Sequence, residues 1–536
     1  MNGMHSQSGK PGEAGRRRWP LRLALLLAAA AALAAVGIGM GSSSALRAAR
    51  PVRATGGPAP APPGGQPSNT FSGQRPNIVF VLTDDLSNDL VRFMPHVEAM
   101  EQSGLTFRDY FVSDSLCCPS RSSIFSGKFP HDTHVFSNVG RLGGFDVFHS
   151  RGEERHTFAV ALQRAGYRTA MMGKYLNGYM GGSGAAPEVP WTYVPPGWTT
   201  WDVAGDGYPE FDYFLNEDGR VAYYGHRPSD YLTDVIARKG VDFIDSAAAA
   251  HKPFFIELAS FAPHRPYTPA PRDVGDFPRL RAPRPPSFNR LPTRAPRWLA
   301  GHPPLSPTQI DQIDADYRLR AESVQAVDDM LGTIEQTLKA HDLLGNTYVV
   351  FSSDNGFHMG QYRLGPGKLT AFDTDIHVPL VVVGPGVPAG ATSSRMAENI
   401  DLAPTFAALG GSRMATDGVS LVPLLRGQRV SDWRNAVLVE HRGPRRMTPI
   451  DPDFQGVPSG NPTSYEAMRT KRFLYVEYAD GEREYYDLVR DPFELHNVFA
   501  RLSLLRRAEL HAELRAMRRC HGRTACWRAM HVPLAG

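Results

Sequence analysis

The sequence predicts an α/β fold: a large, mostly parallel central sheet flanked by helices, followed by a smaller C-terminal antiparallel sheet and helix. Three observations predict it. Short apolar runs alternate with longer segments of helical period, the pattern of a sheet layered with helices. The runs lack polar alternation, as strands buried on both faces require. After about residue 425 the pattern changes to two strand-like runs around an Asp-Gly turn.

In chain order, Arg16, Arg17, Arg18 and Arg22 precede an apolar run from Leu23 to about Met40. Basic residues before an Ala/Leu stretch form an export leader, and the run nears the length that spans a bilayer. Residues 1–45 are therefore expected to be a signal peptide or membrane anchor. The expected location is secreted, periplasmic or tethered to the cell surface. Residues 46–74, rich in Pro, Gly and Ala, read as a linker. A main domain over 75–425 and a C-terminal subdomain over 426–536 follow.

The main domain's strand candidates are Ile78 to Leu82, Arg168 to Met172, Phe254 to Leu258, Tyr348 to Phe351 and Pro379 to Val383. Thr157 to Arg164, Tyr231 to Ala248 and Arg318 to His341 are the helix candidates between them. In the last, Val324, Val327, Met330, Leu331, Ile334 and Leu338 recur near every 3.6 residues. The Pro- and Arg-rich stretch from about 265 to 310 has little periodicity and reads as a surface excursion at a substrate entrance. Phe473 to Glu477 and Glu484 to Leu488 flank Asp480-Gly481 as a hairpin, and Leu502 to Met517 reads as the last helix.

Composition removes some function classes. The net charge is +4 over 536 residues and the arginines are scattered, so no nucleic-acid footprint is present. The four cysteines, at 117, 118, 520 and 526, form neither a disulfide scaffold nor a zinc knuckle. Cys520 and Cys526 either close a small loop or stay as two thiols.

The strand ends carry the chemistry. The first strand runs into Asp84-Asp85, and Tyr348 to Phe351 runs into Asp354-Asn355-Gly356. Lys174 follows the second strand, and His264 follows the third. Open α/β sheets bind ligands beyond the carboxyl ends of their strands. Asp84, Asp85, Asp354 and Asn355 offer only oxygen, which suits a hard cation, calcium or magnesium. Arg121, Lys174, His264 and Lys368 offer the charges that hold a tetrahedral anion. Sulfate and phosphate remain equally suited to that set.

The stretch Cys117-Cys118-Pro119-Ser120-Arg121 places a cysteine where Pro119 favours a helix start, a position that attracts anions. Generic chemistry makes Cys117 a thiolate nucleophile. The run Cys117, Pro119, Ser120, Arg121 and Gly127 resembles the signature of the type I sulfatases, in the alkaline-phosphatase-like superfamily. Asn77 to Asp85 and Ser353-Asp354-Asn355-Gly356 resemble that family's two metal motifs. Gly173-Lys174-Tyr175-Leu176-Asn177 and Ala262-Pro263-His264-Arg265-Pro266 match further motifs, and Lys368 stands at the family's spacing before Val378-Pro379. The variant motifs are nearest the N-acetylglucosamine-6-sulfatase and heparan endosulfatase branch.

The resemblance implies a sulfate ester hydrolase acting on a sulfated small molecule or carbohydrate. A 6-sulfated glucosamine is the first reading; an aryl sulfate, or a phosphonate or phosphodiester, is the alternative. It implies that a formylglycine-generating enzyme oxidises Cys117 to formylglycine. It also implies that Asp84, Asp85, residue 117, Asp354 and Asn355 hold the cation, expected to be Ca2+ with Mg2+ as the second fit. Arg121 would then assist catalysis, while Lys174, His264 and Lys368 bind sulfate. One position departs from the arylsulfatase pattern: Leu176 stands where many members have histidine. His131 and His134 are the nearby candidates for its proton-transfer role.

Overall fold

The first apolar run becomes β1 (Asn77–Thr83), and its side chains serve both faces of the sheet. Ile78, Phe80 and Leu82 enter one apolar core, and Val79 and Val81 enter the other. This computed structural model describes residues 75–181, 189–444, 453 and 459–533. The other strands of the large sheet are β2 (Leu105–Phe107), β3 (Arg168–Lys174), β4 (Thr200–Ala204), β5 (Tyr213–Glu217), β6 (Arg220–Tyr224), β7 (Phe254–Ala259), β8 (Thr347–Ser353), β9 (Leu380–Val383) and β10 (Ala391–Ser393). They form one ten-stranded sheet in the order β10-β2-β9-β8-β1-β7-β3-β4-β5-β6. The centre, β8-β1-β7-β3-β4, is parallel throughout. Antiparallel strands flank it: β9 on one side and the β5–β6 hairpin on the other.

Helices cover both faces. α1 (Pro95–Ser103), α4 (Leu232–Ala249) and α5 (Pro307–Ala340) contribute to the core that holds Val79 and Val81. α2 (Cys117–Ser126), α3 (Phe158–Arg164) and α6 (Leu402–Leu409) contribute to the opposite core. Each fully buried aliphatic or aromatic side chain stabilises the sheet by roughly 1.5–3 kcal/mol. α5 starts well before Arg318, because Ser306 and Gln309 form a reciprocal cap around Pro307.

The smaller sheet is antiparallel, in the order β11 (Ala436–His441), β12 (Tyr465–Thr470), β13 (Phe473–Tyr478) and β14 (Arg483–Asp487). The expected hairpin is β13–β14, and α7 (Leu504–Met517) follows. Cys520 and Cys526 are disulfide-bonded beyond it. Val437, Val439, Leu474 and Val476 belong to the same apolar core as Phe80 and Phe255, so the two sheets share packing.

The anchored location expected from the leader is corrected. Among the described residues no helix is long and apolar enough to cross a membrane. The leader and linker, residues 1–74, lie outside the described residues.

Candidate active site

The parallel strands end together, and their last residues build the site. β1 delivers Asp84 and Asp85, β8 delivers Asp354 and Asn355, β3 ends in Lys174, and the turn after β7 carries His264. All six are at least 97% buried. Asp85 sits in the left-handed region at φ 66°, which turns the chain sharply after β1. Arg320 of α5 fixes that turn: its guanidinium donates to Asp85 O at 2.5 Å and to Pro263 O at 3.1 Å.

α2 carries Cys117 to the same edge. Leu116 is extended, the helix begins at Cys117, and Pro119 lies in the first turn, where its missing N–H costs nothing. Gly127 ends the helix at φ 69°, and a Cβ there would lie 2.6 Å from Thr416 Cγ2. Asn138 Oδ1 accepts from Cys118 N at 3.1 Å, and Ser120 Oγ donates to Asp354 O. Cys117 is fully buried, 3.4 Å from Asp84 Oδ1 and 2.6 Å from Lys368 Nζ. Cys118, also buried, belongs to the apolar core. Burial and the Asp84 charge push the Cys117 thiol well above its usual range, against the pull of Lys174 and Lys368.

Acids and bases interleave around this sulfur. Arg121 Nε donates to Asp354 Oδ2 at 2.7 Å, and Nη1 donates to Lys174 O at 2.9 Å. Lys174 pairs with Asp84, and Lys368 pairs with Asp85 Oδ1 at 2.6 Å. Burial alone would strip the Lys174 proton, but Asp84 outweighs it and holds the ammonium charged. Asp453 and Asp85 do the same for Lys368.

The donor set suits a divalent cation. Asp84, Asp85, Cys117 and His264 offer ligand atoms within 4.8 Å of one another. Among the described residues Asn355 Oδ1 is buried without a hydrogen-bond partner, whereas Nδ2 donates to Asp85 Oδ1 at 2.7 Å and to Gly356 O at 2.8 Å. A buried carbonyl oxygen left unpaired among carboxylates is costly unless an ion takes it.

Every residue expected from the sequence at this edge is present, and four more join it. Asp453 Oδ1 lies 2.9 Å from Lys368 Nζ and 3.0 Å from His264 Nε2, while its other oxygen accepts from Asn138. The Tyr208 ring lies 4.9 Å from Lys174 Nζ and 4.5 Å from the His264 ring. Asn138, through Cys118 and Asp453, and Arg320, through the Asp85 turn, are the other two. None lies in a recognisable motif; Asp453 is separated from every predicted element.

Two candidates fall outside the site. His131 Nδ1 bonds Glu440 Oε2 and Nε2 bonds Cys520 O, both at 2.8 Å, so both ring nitrogens are used at the C-terminal seam. His134 caps a short helix and is exposed. Leu176 is 3% exposed and packs in the apolar core, so that position presents no proton-transfer group.

A donor set able to hold a divalent cation and four buried basic side chains sit together at the carboxyl edge of a ten-stranded α/β sheet, an arrangement suited to a tetrahedral oxyanion. The family model "Sulfatase" matches residues 76–412, and "N-sulphoglucosamine sulphohydrolase, C-terminal" matches residues 367–519. The chain belongs to the sulfatase family, and it is a hydrolase acting on a sulfate ester. It is 34% identical over 479 residues to N-acetylglucosamine-6-sulfatase of Homo sapiens, covering 84% of this chain and 86% of that protein. An arylsulfatase of Volvox carteri is 30% identical over 510 residues, covering 85% of this chain and 77% of that protein. A protein solved in complex with its substrate D-glucosamine-2-N,6-O-disulfate shares the fold, with TM-score 0.66 and 23% identity, over 82% of this chain and 96% of that one. A phosphonate monoester hydrolase of Agrobacterium radiobacter shares it at TM-score 0.63 and 24% identity, over 83% and 96%.

Proposed function

We propose that this protein removes the 6-O-sulfate of a glucosamine residue, using a formylglycine formed from Cys117 and a bound calcium ion. The observation that carries the chemistry is the position of the Cys117 sulfur, buried between Asp84 Oδ1 and Lys368 Nζ. The likeness to N-acetylglucosamine-6-sulfatase supports the substrate. The oxygen-rich donors Asp84, Asp85, Asp354 and Asn355 favour calcium, which takes six to eight oxygen ligands, and magnesium is the second fit.

The net reaction adds water, breaks the S–O ester bond and releases sulfate and the sugar alcohol. A formylglycine at residue 117 would supply an attacking oxygen once hydrated, and a cation held by Asp84, Asp85, Asp354 and Asn355 would supply charge stabilisation to the sulfate. Lys174, His264 and Lys368 hold the remaining sulfate oxygens, and their buried charges act in a low dielectric. Arg121 fixes Asp354 and the end of β3, so the metal and anion sides keep one geometry. A formylglycine-generating enzyme is the partner that this reading requires.

Mass spectrometry of the peptide Asp109–Arg121 from active enzyme is expected to show residue 117 as an aldehyde or its hydrate and Cys118 unmodified. Cys117→Ala is expected to lower kcat/KM by about 10³-fold or more. Unmodified Cys117 in fully active protein overturns the proposal. Matched sulfate and phosphonate esters assayed together test the substrate class; faster phosphonate turnover overturns it.

A further inference from the structure

Asp453 lies in the connection between β11 and β12 and is 6% exposed. Asp84, Asp85 and Asp354 belong to the donors that suit a cation, whereas Asp453 faces the bases that suit an anion. Its Oδ1 lies 2.9 Å from Lys368 Nζ and 3.0 Å from His264 Nε2. Its Oδ2 accepts from Asn138 Nδ2, and Asn138 Oδ1 in turn accepts from Cys118 N at 3.1 Å. The carboxylate is thereby latched to the first turn of α2, beside Cys117. An ammonium, an imidazole nitrogen and an amide N–H converge on it, the surroundings of an ionised acid.

Two features separate Asp453 from a counter-ion that only satisfies its neighbours. The first is that those neighbours have other partners. Lys368 Nζ already lies 2.6 Å from Asp85 Oδ1 and 2.6 Å from Cys117 Sγ, and His264 Nδ1 bonds Arg265 O at 2.7 Å. Burial works against the Lys368 ammonium, and Asp453, ahead of Asp85, outweighs it. A further buried carboxylate costs desolvation that such satisfied bases do not require. The second feature is position. An anion oxygen held by either of the same two nitrogens lies within about 6 Å of Asp453 Oδ1, twice a hydrogen-bond length. At that range in a buried site, little water or salt screens the repulsion.

The repulsion discriminates by charge. A sulfate monoester carries one negative charge. A phosphate monoester has the same tetrahedral shape but carries nearly two above its second pKa of about 6. Coulomb energy scales with the product of the charges, so a fixed carboxylate repels the phosphate about twice as strongly. A cation and four bases alone favour the dianion, and rejecting it takes a repulsive element. We infer that Asp453 is a charge filter, set against the two nitrogens that suit the anion so that the pocket favours a singly charged sulfate ester over a doubly charged phosphate monoester. The inference rests on sulfate ester hydrolysis and is independent of which alcohol leaves.

The test measures kcat/KM of the mature, cation-loaded enzyme at pH 8 on three aryl esters. These are 4-nitrophenyl sulfate, 4-nitrophenyl phosphate and 4-nitrophenyl phenylphosphonate, with one, two and one negative charges. Asp453→Asn is expected to raise the phosphate-to-sulfate ratio by about tenfold or more, the effect of removing one like charge at this range. The phosphonate-to-sulfate ratio is expected to stay within about threefold, because both esters carry one charge. Asp453→Glu, which keeps the charge, is expected to keep the wild-type phosphate-to-sulfate ratio. If Asp453→Asn does not fold, Asp453→Ser carries the same comparison. An unchanged phosphate-to-sulfate ratio in the neutral variant overturns the filter and leaves Asp453 a positioning residue. A phosphonate ratio that rises with the phosphate ratio also overturns it, because the pocket then reads phosphorus against sulfur and not charge. Aryl esters take the sugar out of the comparison, so failure of the glucosamine reading leaves these ratios measurable.

Discussion

The two sheets bury acids equally well and use them in opposite ways. In the small sheet, Glu484 is 1% exposed and both its oxygens accept from phenols, Tyr486 OH at 2.6 Å and Tyr478 OH at 2.7 Å. Burial pushes its carboxyl up to about 7, and the hydroxyls satisfy it without a full counter-charge. At the edge of the large sheet, Asp84, Asp85 and Asp354 face Lys174, Lys368 and Arg121. Buried ion pairs seldom stabilise more than an apolar replacement, because both charges lose water. A sheet that needed only to fold would use the phenol solution. Six buried charges around one sulfur are what the proposed chemistry would require.

The largest test of that contrast removes one acid from each sheet. Asp84→Ala leaves Lys174 without its carboxylate and takes a donor from the metal set. It is expected to lower kcat/KM by about 10²–10³-fold, the scale of one lost electrostatic group in an active site. Glu484→Gln keeps hydrogen-bonding capacity beside the tyrosines and is expected to leave kcat/KM within about threefold, a change under 1 kcal/mol. Comparable losses in the two variants remove the distinction between the sheets.

The seam between the regions gives a smaller effect with its own pH signature. His131 bonds Glu440 of β11 and the carbonyl of Cys520, and Glu440 chiefly lifts the imidazole to about 9 against the cost of burial. A histidine raised above its unfolded value stabilises the fold fully below about pH 6.5, and that contribution is lost as pH rises through about 9. His131→Ala is therefore expected to lower Tm at pH 6, with the difference shrinking by pH 9.5. The loss at pH 6 is on the order of 1–3 kcal/mol, the worth of hydrogen bonds to a charged group. Thermal melts at the two pH values check this. A gap that is equal at both sinks the charged-histidine reading.

The core of the fold was legible because its strands are uninterrupted apolar runs and its helices keep a clear period. The direction of β9 was not: an apolar run of four residues says nothing about whether its neighbour is parallel. β5 and β6 were missed because Tyr213 to Glu217 and Arg220 to Tyr224 mix aromatics with polar residues at a half-exposed edge. The capping box at Ser306 and Gln309 was in the sequence, and it would have placed the start of α5. At the site, motif residues follow strand ends and could be read in order. Asn138, Tyr208, Arg320 and Asp453 arrive from loops and a distant helix, and only tertiary packing brings them in. His131 was read as chemistry because it lies near Cys117 in sequence, but its partners are Glu440 and Cys520.

One acid in the large sheet follows neither rule, and it offers the finest test. Glu257 lies mid-strand in β7, fully buried, on the face that α2 covers. Neither of its oxygens has a hydrogen-bond partner among the described residues, and Arg121 Nη2 is likewise unpaired. Burial pushes the Glu257 carboxyl up to about 8, with Arg121 pulling the other way. It is therefore a neutral acid at pH 7, unlike the ion-paired Asp84, Asp85 and Asp354 at the strand ends. Below about pH 4.5 both folded and unfolded chains hold the proton. As pH rises toward 8, only the unfolded chain has released it, so this group's contribution to stability declines and is lost above that value. Glu257→Gln keeps the shape and cannot ionise. Its stability relative to wild type, followed by Tm, is expected to rise between pH 5 and pH 8, by on the order of a few kcal/mol at most. A Tm difference that stays constant across that window means Glu257 is already charged and paired with Arg121, which would move it from the packing of β7 into the electrostatics of the active site.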